Sequence, residues 1–416
     1  MERVSAQQLA EWAAEARERW SVPGLAVGLL QDREIVSVGD GVLELGRPNR
    51  VSRDTIFRIA SITKPFTATL AMTLAQEGLL ALDKPPPGAP IEATVRQLLS
   101  HQGGLASEWP EPLDDVGDDD EALVRLTEGR PARLPIGAGE LFSYCNAGFW
   151  FVAAAIARGL GMTFEEALCT RVLEPLGLRS TGFEADFPAR GHNQVEKGGA
   201  EHAPAEERYP RVRRPGGGLF SSIGDLLRFA EHHLGGPGPL TAEAVSEMQR
   251  PVSAGPGFRY GLGWFLWETP SGPAVGHPGS VLGYESLLRF VPGKRLAVAA
   301  LSNSSRGYAA IRDVIRNLGL AELERPEGAL ADLTEFEGRY QGQGIELEFV
   351  AEDGHLRVGL TEVDPFSGER SVYPSVRARP IGAREFEIVE GEWRGDRFDF
   401  PRPGFVCMGY LATRIE

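Results

Sequence analysis

Three short clusters carry the residue types that nucleophilic chemistry needs: Ser61-Ile62-Thr63-Lys64, Tyr144-Cys145-Asn146 and His277-Pro278-Gly279-Ser280. A serine hydroxyl attacks a carbonyl only when a base takes its proton, and a lysine three residues on, on the same helical face, can reach it. Such a lysine acts as a base when desolvation or a nearby cation favours its neutral form. The apolar Phe57, Ile59, Ile62 and Phe66 supply the desolvation. A helix starting at Ser61 disfavours an ammonium there and stabilises developing negative charge. The chain has four lysines, at 64, 84, 197 and 294, and this is its one Ser-x-x-Lys. Ser61 is the candidate nucleophile and Lys64 the candidate base.

Tyr144-Cys145-Asn146 is the one Tyr-x-Asn in the chain and opens a helical pattern. A tyrosine oxygen aimed at the nucleophile can pass protons among the serine, the lysine and a leaving group. The Asn146 amide can hold both the lysine and a substrate carbonyl. Taken alone, the cluster also fits a capped helix with a core tyrosine. His277-Pro278-Gly279-Ser280 falls among strands. Proline there implies a strand edge, since it cannot donate to a ladder, and Gly279 lets a substrate backbone approach closely. Taken alone, His277 also fits a structural histidine.

These clusters need a scaffold, and 416 residues imply two or three domains. The 42% hydrophobic and 24% charged content is that of a globular protein. A net charge of −15 argues against nucleic acid or an anionic membrane as partner. Three cysteines without CxxC spacing read as buried free thiols, with no disulfide framework and no metal site. The first residues have neither a basic nor an apolar leader region, and no run of 18 apolar residues occurs. The localisation expected from this is cytoplasmic, with no membrane partner.

Residues 5–20 have a helical apolar stripe of Leu9, Trp12, Ala13 and Ala16, behind a Ser5/Gln8 capping pair. "LAVGLLQ" and "EIVSVGDG" read as a hairpin around Asp32-Arg33. "FRIASITKPFTATLAMTLAQEGLLALD" reads as a buried helix from Ser61, with Pro65 tolerated in its first turn. Helical patterns follow to about residue 215, interrupted by an acidic stretch (111–123) read as a solvated loop. "PGGGLFSSIGDLLRF" lacks the ending of a phosphate loop, and the adjacent His232 and His233 point to different helix faces. Strand patterns return over 260–303, then a helical one near 306–321. The expected units are an α/β subdomain from residues 1–84 and 216–323, a mostly helical insertion at 85–215, a linker at 324–333, and a small antiparallel β-barrel at 334–416. Turns at Asp353-Gly354, Ser367-Gly368, Glu390-Gly391 and Arg394-Gly395 punctuate the last.

In this order the three clusters resemble the serine β-lactamase and penicillin-binding-protein family, for whose members Ser-x-x-Lys is a known signature. The likeness is to its class-C-like branch, with D-aminopeptidases and carboxylesterases. It extends to "LLSHQGGL" (98–105), "FSYCNAGF" (142–149), "LEPLGLRSTGF" (173–183), "GGGLFSSIGDLLRF" (216–229), "YGLGW" (260–264) and "GHPGSVLGYES" (276–286). The resemblance implies an α/β (α+β) transpeptidase-like antiparallel sheet flanked by helices. It also implies Ser61 as nucleophile, Lys64 and Tyr144 as the acid/base pair, and Asn146 as a positioning residue. His277, Gly279 and Ser280 would form the substrate-binding edge, with an oxyanion hole from the N–H groups of Ser61 and Ser280. No cofactor is implied.

The chain departs from β-lactamases where they carry Lys-Thr-Gly and it has His277-Pro278-Gly279. A histidine is mostly neutral at pH 7, so recognition of a lactam carboxylate is not expected. The expected activity is hydrolysis of an amide or ester in a small molecule or short peptide, on the pattern of a D-aminopeptidase. A carboxylesterase is the alternative, and a non-catalytic binding or sensing module on the same fold is the alternative of another class.

Overall fold

The computed structural model describes residues 3–415, apart from 32, 108–115, 130, 196–198, 206–207, 329–331, 364–369 and 392. Parts of the acidic stretch and of the linker, and the Ser367-Gly368 turn, lie outside the described residues. The stripe in residues 5–20 folds as helix α1 (Ala6–Arg19), whose N-cap Ser5 accepts a hydrogen bond from the Gln8 N–H at 3.2 Å. The expected hairpin is strands β1 (Gly24–Gln31) and β2 (Glu34–Gly41).

Six further strands come from the far side of the insertion: β3 (Ser253–Gly255), β4 (Phe258–Tyr260), β5 (Phe265–Thr269), β6 (Gly272–Val281), β7 (Tyr284–Val291) and β8 (Leu296–Ser302). They join the hairpin in one antiparallel sheet of order β2-β1-β8-β7-β6-β5-β4-β3. Both faces are covered, which explains the unbroken apolar runs of β1 and β8. On one face α1 and the closing helix α5 (Gly307–Asn317) set Leu9, Ala13, Ile311 and Val314 against Leu25, Val27, Val298 and Ala300. The alternate residues Ala26, Leu288, Phe290 and Ala299 face the larger core of the other side. That core holds helices α2 (Thr63–Gln76), α3 (Asn146–Leu160) and α4 (Ile223–His233). At Gly28 a Cβ would lie 2.2 Å from Cγ2 of Ile223, so glycine lets α4 approach the sheet.

Helix α2 is buried over Thr63–Leu74. Its inward hydroxyls are satisfied locally: Thr69 Oγ1 donates to the Pro65 carbonyl at 2.8 Å and Thr73 Oγ1 to that of Thr69 at 2.9 Å. Ser61 does not open this helix as expected. It sits in a single 3₁₀ turn, Ala60–Ile62, and the α-helix starts at Thr63.

The C-terminal strands are β9 (Gly338–Gly342), β10 (Ile345–Glu352), β11 (His355–Val363), β12 (Arg370–Val372), β13 (Val376–Pro380), β14 (Glu385–Ile388), β15 (Arg397–Asp399), β16 (Phe405–Cys407) and β17 (Leu411–Arg414). Eight of them run β10-β9-β17-β16-β15-β14-β13-β11, and pairing of β10 with β11 closes the ring as a barrel. Phe336, Tyr340, Phe349, Phe386, Phe398 and Phe400 fill it. The three cysteines are free, but Cys169 is exposed, unlike the buried Cys145 and Cys407. It ends a short amphipathic helix (Phe164–Leu168) and falls on its solvent side.

Candidate active site

The turn that carries Ser61 is fixed from both sides. The Ile59 N–H donates to the Leu219 carbonyl at 2.9 Å, and the Ile59 carbonyl accepts from Ser286 Oγ on β7 at 2.8 Å. Between these anchors Ala60 takes φ +47°, a left-handed conformation that costs a non-glycine residue about 1 kcal/mol or more. The strain directs the Ser61 side chain back over the first turn of α2.

Lys64 lies there with no exposure to solvent. Its Nζ is 3.1 Å from Ser61 Oγ, 2.6 Å from Asn146 Oδ1 and 2.8 Å from the Gly216 carbonyl. It also faces the Tyr144 ring, 4.7 Å from the centroid. An amine held by neutral oxygens in a dry site can give up a proton and take the one on Ser61. A Cβ on Gly216 would make only ordinary contact, 3.6 Å from Nζ, whereas one on Gly217 would lie 2.5 Å from the Tyr209 hydroxyl. Gly217 thus serves close approach of the backbone to Tyr209, a role not anticipated from the sequence.

Tyr144 and Asn146 flank the N-cap of α3, where Cys145 Sγ accepts from the Gly148 N–H at 3.4 Å. The Tyr144 hydroxyl is hydrogen-bonded to Ser61, and burial, followed by the nearby Tyr260 and Tyr410, pushes its pKa well above the usual 10. It is therefore a neutral phenol at physiological pH, fitted to donate a proton and to pass one on. The barrel contributes here: the Gly409 carbonyl accepts from the Tyr144 N–H at 2.9 Å, and the Tyr410 ring stands edge-on to that of Tyr144 at 5.5 Å.

Pairing of β6 with β5 ends at Gly276, so residues 277–281 keep one free edge although the strand lies inside the sheet. This is how Pro278 is accommodated. The free edge faces Ser61: a Cβ on Gly279 would lie 3.0 Å from the Ser61 nitrogen and 2.4 Å from the Ile59 carbonyl. Two backbone N–H groups brought together in this way, from Ser61 and Ser280, can stabilise an oxyanion by several kcal/mol. Ser280 Oγ itself donates to Glu285 at 2.6 Å. The His277 side chain is placed otherwise than a substrate ligand would be. It is 1% exposed, with Nε2 3.1 Å from the Tyr260 hydroxyl and Nδ1 2.5 Å from the Pro278 carbonyl. Burial, with Lys64 nearby, lowers its pKa to about 3.

Ser61, Asn146, Trp150, Tyr209, Arg213 and Ser280 border a cavity of about 160 Å³. That is small beside the usual ~300–1,000 Å³ of drug-sized sites. The indole N–H of Trp150 is buried without an acceptor among the described residues. Trp150, Tyr209 and Arg213 were not singled out from the sequence. They lie on helix and loop positions with no motif of their own, and only the fold assembles them.

Residues 9–321 match the Beta-lactamase family model, three quarters of the chain. The chain belongs to the beta-lactamase family. Among relatives of this beta-lactamase-family protein, Esterase EstB of Burkholderia gladioli is 29% identical over 289 residues, covering 56% of this chain and 72% of that one. A D-aminopeptidase of Gluconobacter oxydans is 26% identical over 343 residues, covering 77% of this chain and 63% of that one. The solved structure of SurE matches the family member along its whole length, barrel included, with TM-score 0.76, 25% identity and 99% of each chain covered.

Proposed function

We propose that this beta-lactamase-family protein is a serine hydrolase that cleaves an amide in a small or short-peptide substrate through an acyl-enzyme on Ser61, as a D-aminopeptidase would. The observation that carries the reading is the fully buried Lys64 Nζ, 3.1 Å from Ser61 Oγ and held by Asn146 and Gly216. Lys64 takes the Ser61 proton as the hydroxyl attacks the carbonyl carbon, and the oxyanion forms between the Ser61 and Ser280 N–H groups. Tyr144 hands a proton to the leaving amine and regains one from Lys64, and water then releases the acyl group by the reverse relay. The relative named a D-aminopeptidase supports the amide reading. The relative named an esterase supports a second reading, a carboxylesterase on the same machinery.

Intact-protein mass spectrometry after exposure to a panel of D-amino-acid amides, short acyl esters and lactams tests this. The expected result is a transient adduct on wild-type protein, absent from Ser61→Ala, with faster turnover of the D-amino-acid amides than of the esters. Faster ester turnover would select the second reading. A chain inert to the panel and to a serine-directed fluorophosphonate would leave a binding module.

A further inference from the structure

The sites of Tyr144 and of Ser280 come from distant parts of the chain, and a buried file of side chains runs between them. The Cys145 N–H donates to His101 Nδ1 at 2.9 Å, and His101 Nε2 lies 3.2 Å from the Tyr260 hydroxyl. That hydroxyl is in turn 3.1 Å from His277 Nε2, and His277 Nδ1 ends the file on the Pro278 carbonyl at 2.5 Å. All three side chains are at most 1% exposed.

We infer that His101 and Tyr260 are positioning residues of this site: with His277 they form a hydrogen-bonded chain, fixed in direction by a backbone group at each end, that sets Tyr144 and Asn146 against the strand carrying Gly279 and Ser280. The direction follows from the ends. A backbone N–H can only donate, so His101 Nδ1 is bare and its proton sits on Nε2. A carbonyl can only accept, so the proton of His277 sits on Nδ1 and its Nε2 is bare. Tyr260 then accepts from His101 and donates to His277, the one arrangement that uses every group. Burial keeps both imidazoles neutral: it lowers His101 well below its usual value, with Lys64 adding to the effect, and His277 likewise.

A second observation points the same way. His101 has φ +58° as the left-handed residue that caps the helix Val95–Leu99, with the Gln102 N–H donating to the Gln97 carbonyl at 2.7 Å and the His101 N–H to that of Leu98 at 3.3 Å. Here the conformation brings the ring to 4.2 Å from that of Tyr144 and aims Nδ1 at the residue between Tyr144 and Asn146. The His101 carbonyl meanwhile accepts from the Ser143 N–H at 2.9 Å, so one residue holds both sides of Tyr144.

The inference rests on the reading of Ser61 as nucleophile, and one measurement tests it without turnover. Nitrogen-15 NMR of histidine-labelled protein should show His101 as the neutral Nε2–H tautomer and His277 as the neutral Nδ1–H tautomer. In Tyr260→Phe both tautomers should persist, because the Cys145 N–H and the Pro278 carbonyl still fix the two ends, while the Nε2 signals of His101 and His277 should shift as each loses its partner. Kinetically, Tyr260→Phe should lower kcat by on the order of tenfold to a hundredfold with KM within about twofold, as small misplacements of reacting groups do. His101→Asn keeps an acceptor for Cys145 and tolerates positive φ, whereas His101→Gly keeps only the backbone freedom. The Asn variant should retain several times the kcat of the Gly variant. Reversed tautomers, wild-type kcat in Tyr260→Phe, or equal Asn and Gly variants would overturn the chain. Wild-type protein that fails to react with a fluorophosphonate would overturn the hydrolase reading instead, and the tautomers would still decide the chain.

Discussion

The backbone N–H of Tyr144 donates to the carbonyl of Gly409, so the last hairpin of the barrel holds the tyrosine that touches Ser61. The Leu411 N–H adds a bond to Ser143 Oγ at 3.2 Å, and Phe142, Tyr260, Cys407 and Leu411 share a small core. The sequence leaves two roles for the barrel, a stabilising appendage or a loop that limits substrate size. These contacts add a third, support of Tyr144. Removing residues 326–416 should therefore cost at least about 100-fold in kcat on the smallest substrates, the scale of a misplaced acid/base group. Tyr410→Ala, which keeps the Gly409 bond, should stay within about tenfold on small esters and accept bulkier ones. Steady-state kinetics on an ester size series checks both, and a truncated protein with full kcat would remove the support role.

The main sheet and the three clusters were legible because each is a local pattern. The apolar runs at 24–31 and 296–302 read as buried strands, and Ser61 to Lys64 is a four-residue spacing. The His101–Tyr260–His277 file was not legible, since each member fits a satisfied core residue and only the packing joins them. The start of α2 was misplaced by two residues because the left-handed Ala60 carries no glycine to announce it. The motif position of His277 implies a substrate ligand, while the structure engages both its ring nitrogens inside the protein.

In the proposed mechanism Lys64 and Tyr144 have separable roles. Lys64→Ala and Tyr144→Phe should each lower kcat by on the order of 10²–10⁴, the range for a lost general acid or base. Because the Tyr144 phenol stays protonated far above pH 7, Tyr144→Phe should slow expulsion of poor leaving groups most. The ratio of amide to activated-ester turnover should then fall for Tyr144→Phe and change less for Lys64→Ala. Equal loss on both substrates would show that the phenol does not serve the leaving group.

Gly279→Ala tests the approach of the two segments directly. The added Cβ would meet the Ile59 carbonyl and Ser286 Oγ at 2.4 Å each and the Ser61 nitrogen at 3.0 Å. Two of these neighbours are backbone and cannot rotate away, so the strand edge must retreat from the oxyanion site. A fall in kcat of about 100-fold or more is expected, in line with loss of one oxyanion donor. The variant should still melt cooperatively. Unimpaired turnover would mean that the oxyanion is held elsewhere.

Asp399 in the barrel offers a test of electrostatics remote from the chemistry. Burial, and then its cross-strand neighbour Glu385, raise its pKa from 3.8 to about 7. Below pH ~4 both folded and unfolded states hold the proton. As the pH rises the unfolded carboxyl ionises first, so stability falls through the window up to about 7 and is lowest above it. Asp399→Asn should stabilise the barrel above that window by on the order of 1–2 kcal/mol, after discounting for partial exposure, and do nothing below pH ~4. Thermal melts at pH ~3.5 and ~8 decide it; equal shifts at both would exclude an ionisation origin.

Lactams should be poor substrates. A β-lactamase meets the lactam carboxylate with a lysine at the first position of its third motif, where this chain has His277. With a pKa of about 3 and both nitrogens engaged, His277 offers that anion no charge at pH 7 and no free donor. Pro278 has no N–H to add. The cavity, at about 160 Å³, is also tight for a bicyclic nucleus with an acylamino side chain. Benzylpenicillin should thus show a kcat/KM at least ~10³-fold below that of a small ester, the order expected when about 4 kcal/mol of carboxylate recognition and fit is missing. Efficient turnover would reassign carboxylate recognition to Arg213, the permanent cation on the cavity wall. In that case Arg213→Gln would abolish penicillin turnover while sparing a neutral ester, and the small wall at Ser280 and Val281 would have to open to admit the bicycle.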